Sequence, residues 1–239
     1  MANYDHTYIE PELLELASKY PVGLILVGGT GFSGITTTAT NLMVECSKAN
    51  AWHRAIDVSN RYDYNDADSG SVISIEVARD PYQRLIRAAM ANDPDVIFLG
   101  EIRDKAKGNW STQIALSGTK AIAELHAYSV ASSLERYCEL IDKSQLPRLH
   151  NVLVVSQFLL TRKDGKKVAV REFLALDPEL LQALADSDNL KKTAYVLSQT
   201  HGQSFYVSAL KLHAKGWISD EEMAQVLDFH KSNAAEVGF

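Results

Sequence analysis

The densest chemical signal in the chain is the run Gly29, Thr30, Gly31, Phe32, Ser33, Gly34, Ile35 and Thr36, with Thr37 beside it. Its spacing is that of the phosphate-binding loop G-x-x-x-x-G-K-[ST], with Ile35 in place of the lysine. Glycines let backbone N–H groups turn toward phosphate oxygens, and the first turn of a following helix adds a positive dipole end. Thr36 stands where such loops carry a hydroxyl for Mg2+. A lysine at 35 would reach the β- and γ-phosphates. Losing that charged hydrogen bond forfeits roughly 1.5–3 kcal/mol, about a 10- to 100-fold loss in affinity. The β-branched side chain of Ile35 is expected in the first helical turn, presenting methyl groups where phosphates want a cation. On these residues alone, a glycine-rich strand–helix turn without ligand stays open as the other reading.

Two further segments carry candidate groups. In Asp93 to Asp104 (Asp-Pro-Asp-Val-Ile-Phe-Leu-Gly-Glu-Ile-Arg-Asp) an apolar strand delivers Glu101 just past its end. Ligands of open α/β sheets bind outside the carboxyl ends of strands. A carboxylate there can hold Mg2+ through water or orient an attacking water; a surface acid at a strand end is the alternative. In the same way, residues 119–125 deliver His126, a group that can donate to a phosphate oxygen, or else an ordinary structural histidine.

These positions require a particular scaffold. Val22 to Val27 reads as a fully buried strand, followed by the loop and a helix over 35–49. Further strands are expected at 55–58, 72–77, 95–100 and 119–125, and helices at 10–19, 80–92, 110–117 and 129–143. Arg61 to Gly70, with three aspartates, reads as a loop. Val152–Leu160 and Val168–Leu174 form a hairpin turning at Asp164-Gly165. Asp177-Pro178 opens a helix as N-cap and first residue. Ser219 and Glu222 form a capping box for a last helix near 220–230. Alternating strands and helices imply a parallel sheet covered on both faces.

The 239 residues suit one α/β domain, with 46% hydrophobic and 23% charged residues. A net charge of −6 gives no general argument for nucleic-acid binding. Two cysteines, Cys46 and Cys138, make neither a disulfide framework nor a thiolate zinc site. No signal peptide and no membrane-spanning run is read from the sequence.

Taken in order, the three chemical segments resemble the RecA-like motor ATPases of type II secretion, type IV pili, and type IV secretion or conjugation systems. Asp93 to Asp104 is similar to that family's Walker B segment nearly residue for residue. Ala115 to Arg136, with Leu125-His126 and then Ser129, is similar to its His box. The resemblance continues through Ser156-Gln157, Lys163-Asp164-Gly165, Gln199 to Ser204, and Lys215 to Glu222, from near residue 10 to near residue 230.

The resemblance implies an α/β fold: a P-loop RecA-like three-layer domain with a mostly parallel central sheet, then a β-hairpin and a small C-terminal helical region. Residues 1–175 would form the core with its hairpin, and 176–239 a helical subregion of the same domain. It implies ATP held by residues 29–37, Mg2+ at Thr36 and Glu101, and Glu101, His126 and Asp63 as catalytic residues. It implies a homo-hexamer, or a mixed ring with a related motor subunit, with nucleotide near subunit boundaries. The location would be cytoplasmic, peripheral to the inner membrane through platform proteins, with no direct nucleic-acid contact. The family usually carries a separate N-terminal domain; with the loop at residue 29, a natural short form or a fragment is expected. The zinc-binding tetra-cysteine motif of extension motors cannot be made, so the retraction or conjugation branch is closer.

Three departures surround one site. Ile35 replaces the lysine. The family's Ile-Glu-Asp-Pro-Ile-Glu-Tyr box corresponds to Val58-Ser59-Asn60-Arg61-Tyr62-Asp63-Tyr64, which keeps only Asp63 of its acids. An arginine expected after that box falls near Ile75. Impaired hydrolysis is the expectation, with a non-catalytic ring subunit or regulator as the alternative.

Overall fold

The computed structural model describes residues 8–48, 54–59, 72–74 and 82–238. The strands are β1 (Gly23–Gly29), β2 (Ala55–Asp57), β3 (Val72–Ser74), β4 (Val96–Glu101), β5 (Lys120–His126), β6 (Val152–Thr161) and β7 (Lys167–Leu176). They form one sheet in the order β3-β2-β4-β5-β1-β6-β7. The first six run parallel, and β7 folds back antiparallel on β6. An uninterrupted apolar strand needs cover on both faces, and β1 is buried at every position.

That cover comes from two layers of helices. On one face α1 (Pro11–Lys19) and α2 (Ile35–Lys48) pack Leu13, Leu42 and Met43 against Ile25, Val27, Phe98 and Ile122. On the other, α3 (Tyr82–Met90), α4 (Lys105–Leu116) and α5 (Val130–Leu140) bring Ile86, Ile114 and Leu134 against Leu24, Leu26, Ile97 and Leu99. Odd and even residues of β1 thus serve opposite cores, as strand periodicity requires. The chain finishes in α6 (Pro178–Ala185), α7 (Leu190–His201), α8 (Phe205–Ala214) and α9 (Asp220–Glu236). Phe205, Leu212 and Val226 of α8 and α9 close a third core with Leu160, Val168 and Val170 of the hairpin. This is the three-layer α/β fold with hairpin and helical end that the sequence implies. No helix among the described residues is long and apolar enough to cross a membrane.

Local differences have local causes. The helix expected at 110–117 begins at Lys105, because Asp104 accepts the Lys107 N–H at 2.9 Å and caps an earlier turn. The helix expected to run to 143 stops at Leu140, and a 3₁₀ segment containing Pro147 follows over Lys143–Arg148. Ser219 caps α9 through the Glu222 N–H, but the Glu222 carboxylate accepts from the Thr161 N–H of β6, so the expected capping box is half made. A complete box stands instead at the start of α5, between Ser129 and Ser132. The loop expected at 61–70 lies outside the described residues, as do residues 75–77 of the expected strand at 72–77.

Candidate functional site

Three parallel strands, β4, β5 and β1, end side by side, with β6 running on past them, and the candidate residues stand on those ends. Gly29, the last residue of β1, is in register with His126 on β5 and with Gln157 on β6. Glu101 ends β4, next to β5. Between Phe98↔Ile122 and Glu101↔Glu124, β4 carries one residue more than β5, a bulge that re-aims the strand end. Gly100 makes this possible. Its φ is +65°, and a Cβ there would lie 2.8 Å from the Ser59 Cβ.

The bulge leaves Glu101 buried, with only 5% of its side chain exposed. Its Oε1 lies 3.2 Å from His126 Nε2, and its Oε2 lies 2.6 Å from Arg103 Nη2. The Glu101 carboxylate beside it raises the pKa of the Arg103 guanidinium. His126 remains half exposed, open to a ligand above the strand ends. Lys107 Nζ donates to the Glu101 carbonyl at 3.1 Å and stands 4.5 Å over the Tyr82 ring. Glu101 and His126, two separate candidates in the sequence, therefore come within 3.2 Å of each other at the strand ends. Asp63, the third catalytic candidate, lies outside the described residues.

The loop itself is a tight turn from Thr30 to Gly34. Ser33 donates to the Thr30 carbonyl through both its N–H (3.2 Å) and its Oγ (2.6 Å). Gly34 takes φ +80°, and the Thr38 N–H bonds back to the Gly34 carbonyl at 3.1 Å, starting α2. Thr36 and Thr37 are partly exposed in the first turn.

Ile35 departs from expectation. Rather than presenting methyls to the phosphate space, it turns inward and is 8% exposed, packed with the α1/α2 core. A Cβ on Gly29 would lie 2.6 Å from its Cγ2. An aliphatic side chain gains about 1.5–3 kcal/mol by burial, and nothing polar at its end opposes that.

Phe32 shows the reverse. It is fully exposed at the loop tip and holds φ +64°, the left-handed region. That conformation costs a non-glycine residue roughly 1–2 kcal/mol. Phe32→Gly should therefore raise stability by about 1 kcal/mol. Chemical denaturation measures this, and a loss of stability would show that the ring makes contacts that outweigh the strain.

Several polar residues to which the sequence assigns no role hold the loop from behind. Gln157 Nε2 donates to the Ser33 carbonyl at 2.7 Å. Gln157 Oε1 accepts from Thr38 Oγ1 at 2.7 Å and from Arg171 Nε at 2.9 Å. Arg171, 1% exposed, pairs with Glu10 Oε2 at 2.7 Å and also reaches Thr38 Oγ1 and the Tyr8 carbonyl. Ser208 of α8 accepts from the Arg171 N–H and donates to Glu10. Another buried acid, Glu172 on β7, accepts from the Val130 N–H at 2.8 Å, the first turn of α5, and from Ser198 at 2.9 Å. Burial raises its pKa, against the lowering effect of these donors. Asp57, at the end of β2, is also buried and accepts from the Ser59 N–H.

Among the described residues no group of three His, Cys, Asp or Glu is placed to hold a metal. A Thr36 hydroxyl and a Glu101 carboxylate are hard oxygen donors, fit for Mg2+ when phosphate oxygens fill most of its shell. A cavity of about 250 Å³ opens at the opposite edge of the sheet, lined by Tyr20, Lys120 and His201 among apolar side chains. It lies at the amino ends of β1, β5 and β6, away from the edge where parallel sheets take their ligands.

The family model described as "Type II/IV secretion system protein" matches residues 10–164. The type IV pilus retractation ATPase PilT of Pseudomonas aeruginosa is 27% identical over 225 residues, covering 88% of this chain and 64% of its own length. The competence protein ComGA of Halalkalibacterium halodurans is 30% identical over 152 residues, covering 64% of this chain and 43% of its own. This chain thus spans less than two thirds of either relative. Among solved structures, the Legionella pneumophila ATPase DotB superposes with a TM-score of 0.80 at 21% identity, over 95% of this chain and 66% of that one. The pilus retraction motor PilT with bound ADP superposes at 0.73 and 24% identity, over 91% of this chain and 64% of that one. At these identities the structural likeness is one of fold.

Proposed function

Since the chain belongs to the type II/IV secretion system protein family, we propose that it is the nucleotide-binding domain of a motor ATPase of the secretion, pilus or conjugation machinery, with impaired hydrolysis. The observation that carries this reading is the convergence on one sheet edge of the glycine loop, His126 and Glu101, with Gly29 and His126 in register. ATP would lie along residues 29–37, gripped mainly by backbone N–H groups. Mg2+ would sit between Thr36 and the Glu101 carboxylate. Glu101 would orient the attacking water, His126 would donate toward the phosphates, and Asp63 would be the remaining acid of the set. The subunit would work in a homo-hexamer or in a mixed ring with a related motor subunit. It would stay on the cytoplasmic side, docked to platform proteins of the inner membrane.

Thermal unfolding with and without ATP or ADP and Mg2+ tests the binding half. A ligand held by the native state alone raises the melting temperature by mass action. No shift at millimolar nucleotide would leave the loop empty and sink the reading. For the chemical half, Glu101→Gln should cut phosphate release by an order of magnitude or more, since a neutral amide orients water poorly. An unchanged rate would place the catalytic acid elsewhere.

One observation favours a second reading. With Ile35 packed inward, the loop offers no side-chain cation from the lysine's position. A non-catalytic subunit or regulator that uses the ring surface to bind an active motor would need none. Phosphate release by the purified chain separates the two readings.

A further inference from the structure

We infer that Gln157 is a positioning residue for the anion cradle: through the Ser33 carbonyl it aims the Gly34 N–H at the bound phosphates. The inference rests on the nucleotide-binding reading and adds a residue to it. The partners of the amide fix its orientation. Arg171 Nε can only donate, so the Gln157 atom 2.9 Å from it must be the carbonyl oxygen. The Gln157 NH2 group is thereby committed to the Ser33 carbonyl, 2.7 Å away. Thr38 agrees with this polarity: its Oγ1 accepts from Arg171 Nη2 at 3.2 Å and donates to Gln157 Oε1 at 2.7 Å.

Ser33 C=O and Gly34 N–H belong to one peptide unit. In a trans peptide they point in opposite directions. Drawing the carbonyl down toward β6 therefore turns the N–H up, away from the buried side and toward the open side of the loop. The Ser33 N–H is already spent on Thr30, so Gly34 is the next backbone donor the turn has to offer. In a loop with a lysine, one misaimed N–H would be partly covered by the ammonium. Here position 35 supplies no cation, and binding depends on backbone donors. The amide itself is rigid because every partner is. Gln157 is 1% exposed, and its arginine is fixed by Glu10, itself anchored by Ser208.

The test uses two probes, ADP with Mg2+ and inorganic tripolyphosphate, titrated onto the starting chain and onto Gln157→Met. Methionine keeps the length and neutrality of glutamine but cannot donate. Tripolyphosphate has no base or sugar, so a defect in the cradle must weaken both probes alike. The expected result is at least a tenfold loss for both, with the far-UV circular dichroism of the starting chain retained. The 13C shift of the Ser33 carbonyl should also move, in the absence of ligand, as its hydrogen bond is lost. If Gln157→Met does not fold, Arg171→Lys serves instead. It keeps the cation opposite Glu10 but loses the Nε that orients the amide, and a threefold or greater loss for both probes is expected. Equal affinities in starting chain and variant would overturn the inference while leaving the nucleotide reading intact. No binding of either probe by the starting chain would overturn both.

Discussion

Glu10→Ala should lower the melting temperature by about 6–20 °C. The carboxylate lies 2.7 Å from Arg171 Nη1, and both side chains are almost wholly buried. Removing one partner of a buried ion pair costs roughly 3–5 kcal/mol, because the other charge is left uncompensated. An arginine has no escape by deprotonation. In a chain of this size each kcal/mol moves the midpoint by about 2–4 °C. The comparison that isolates the charge is the double variant Glu10→Leu, Arg171→Leu. It removes both ions and should lose less than Glu10→Ala alone, since apolar replacement of a buried pair is often close to neutral. A shift under 2 °C for Glu10→Ala would mean that the guanidinium is adequately held by Gln157, Thr38 and the Tyr8 carbonyl.

That pair illustrates what the sequence can and cannot disclose. The parallel sheet is legible because its cause is local. Leu24 to Val27 is apolar on both faces and glycines end it; the same pattern returns at Val96 to Leu99 before Gly100, and a shorter apolar run stands at Ala121 to Ala123. The strand-end placement of Glu101 and His126 follows from the same runs. Their pairing does not, because it depends on the extra residue in β4 and on the positive φ of Gly100. Glu10 and Arg171 carry no motif at all, and Gln157 is marked only by the resemblance, with no role attached. Gln157 and Arg171 lie 147 and 161 positions from Glu10 along the chain, and the three meet only once β6, β7 and the segment before α1 are packed. A buried arginine looks like any surface arginine until its partner is in place. The direction of Ile35 was also beyond reach of the motif. The motif fixes the position of the residue in the first turn, while the side chain follows the nearest apolar core.

The inward turn of Ile35 sharpens the remaining prediction. Ile35→Lys should tighten nucleotide about 10- to 100-fold, given roughly 1.5–3 kcal/mol for a charged hydrogen bond. It should also cost stability, about 1–3 kcal/mol, because a buried aliphatic side chain leaves the α1/α2 core. The lysine stem is long enough to lie along apolar surface while its ammonium reaches the loop. Turnover should gain less than affinity. Ser59 and Asn60 still stand where the resemblance expects acids, and Glu101 is engaged by both His126 and Arg103. Nucleotide titration, phosphate release and thermal unfolding on the same two proteins resolve these effects. Tighter binding with little turnover identifies a decayed site whose loop geometry is intact. Full turnover from this one change would show that Asp63 and Glu101 suffice as the acids. No gain in affinity would show that the core holds position 35 so firmly that no side chain there can serve the phosphates, and the non-catalytic ring subunit would then be the better account of this chain.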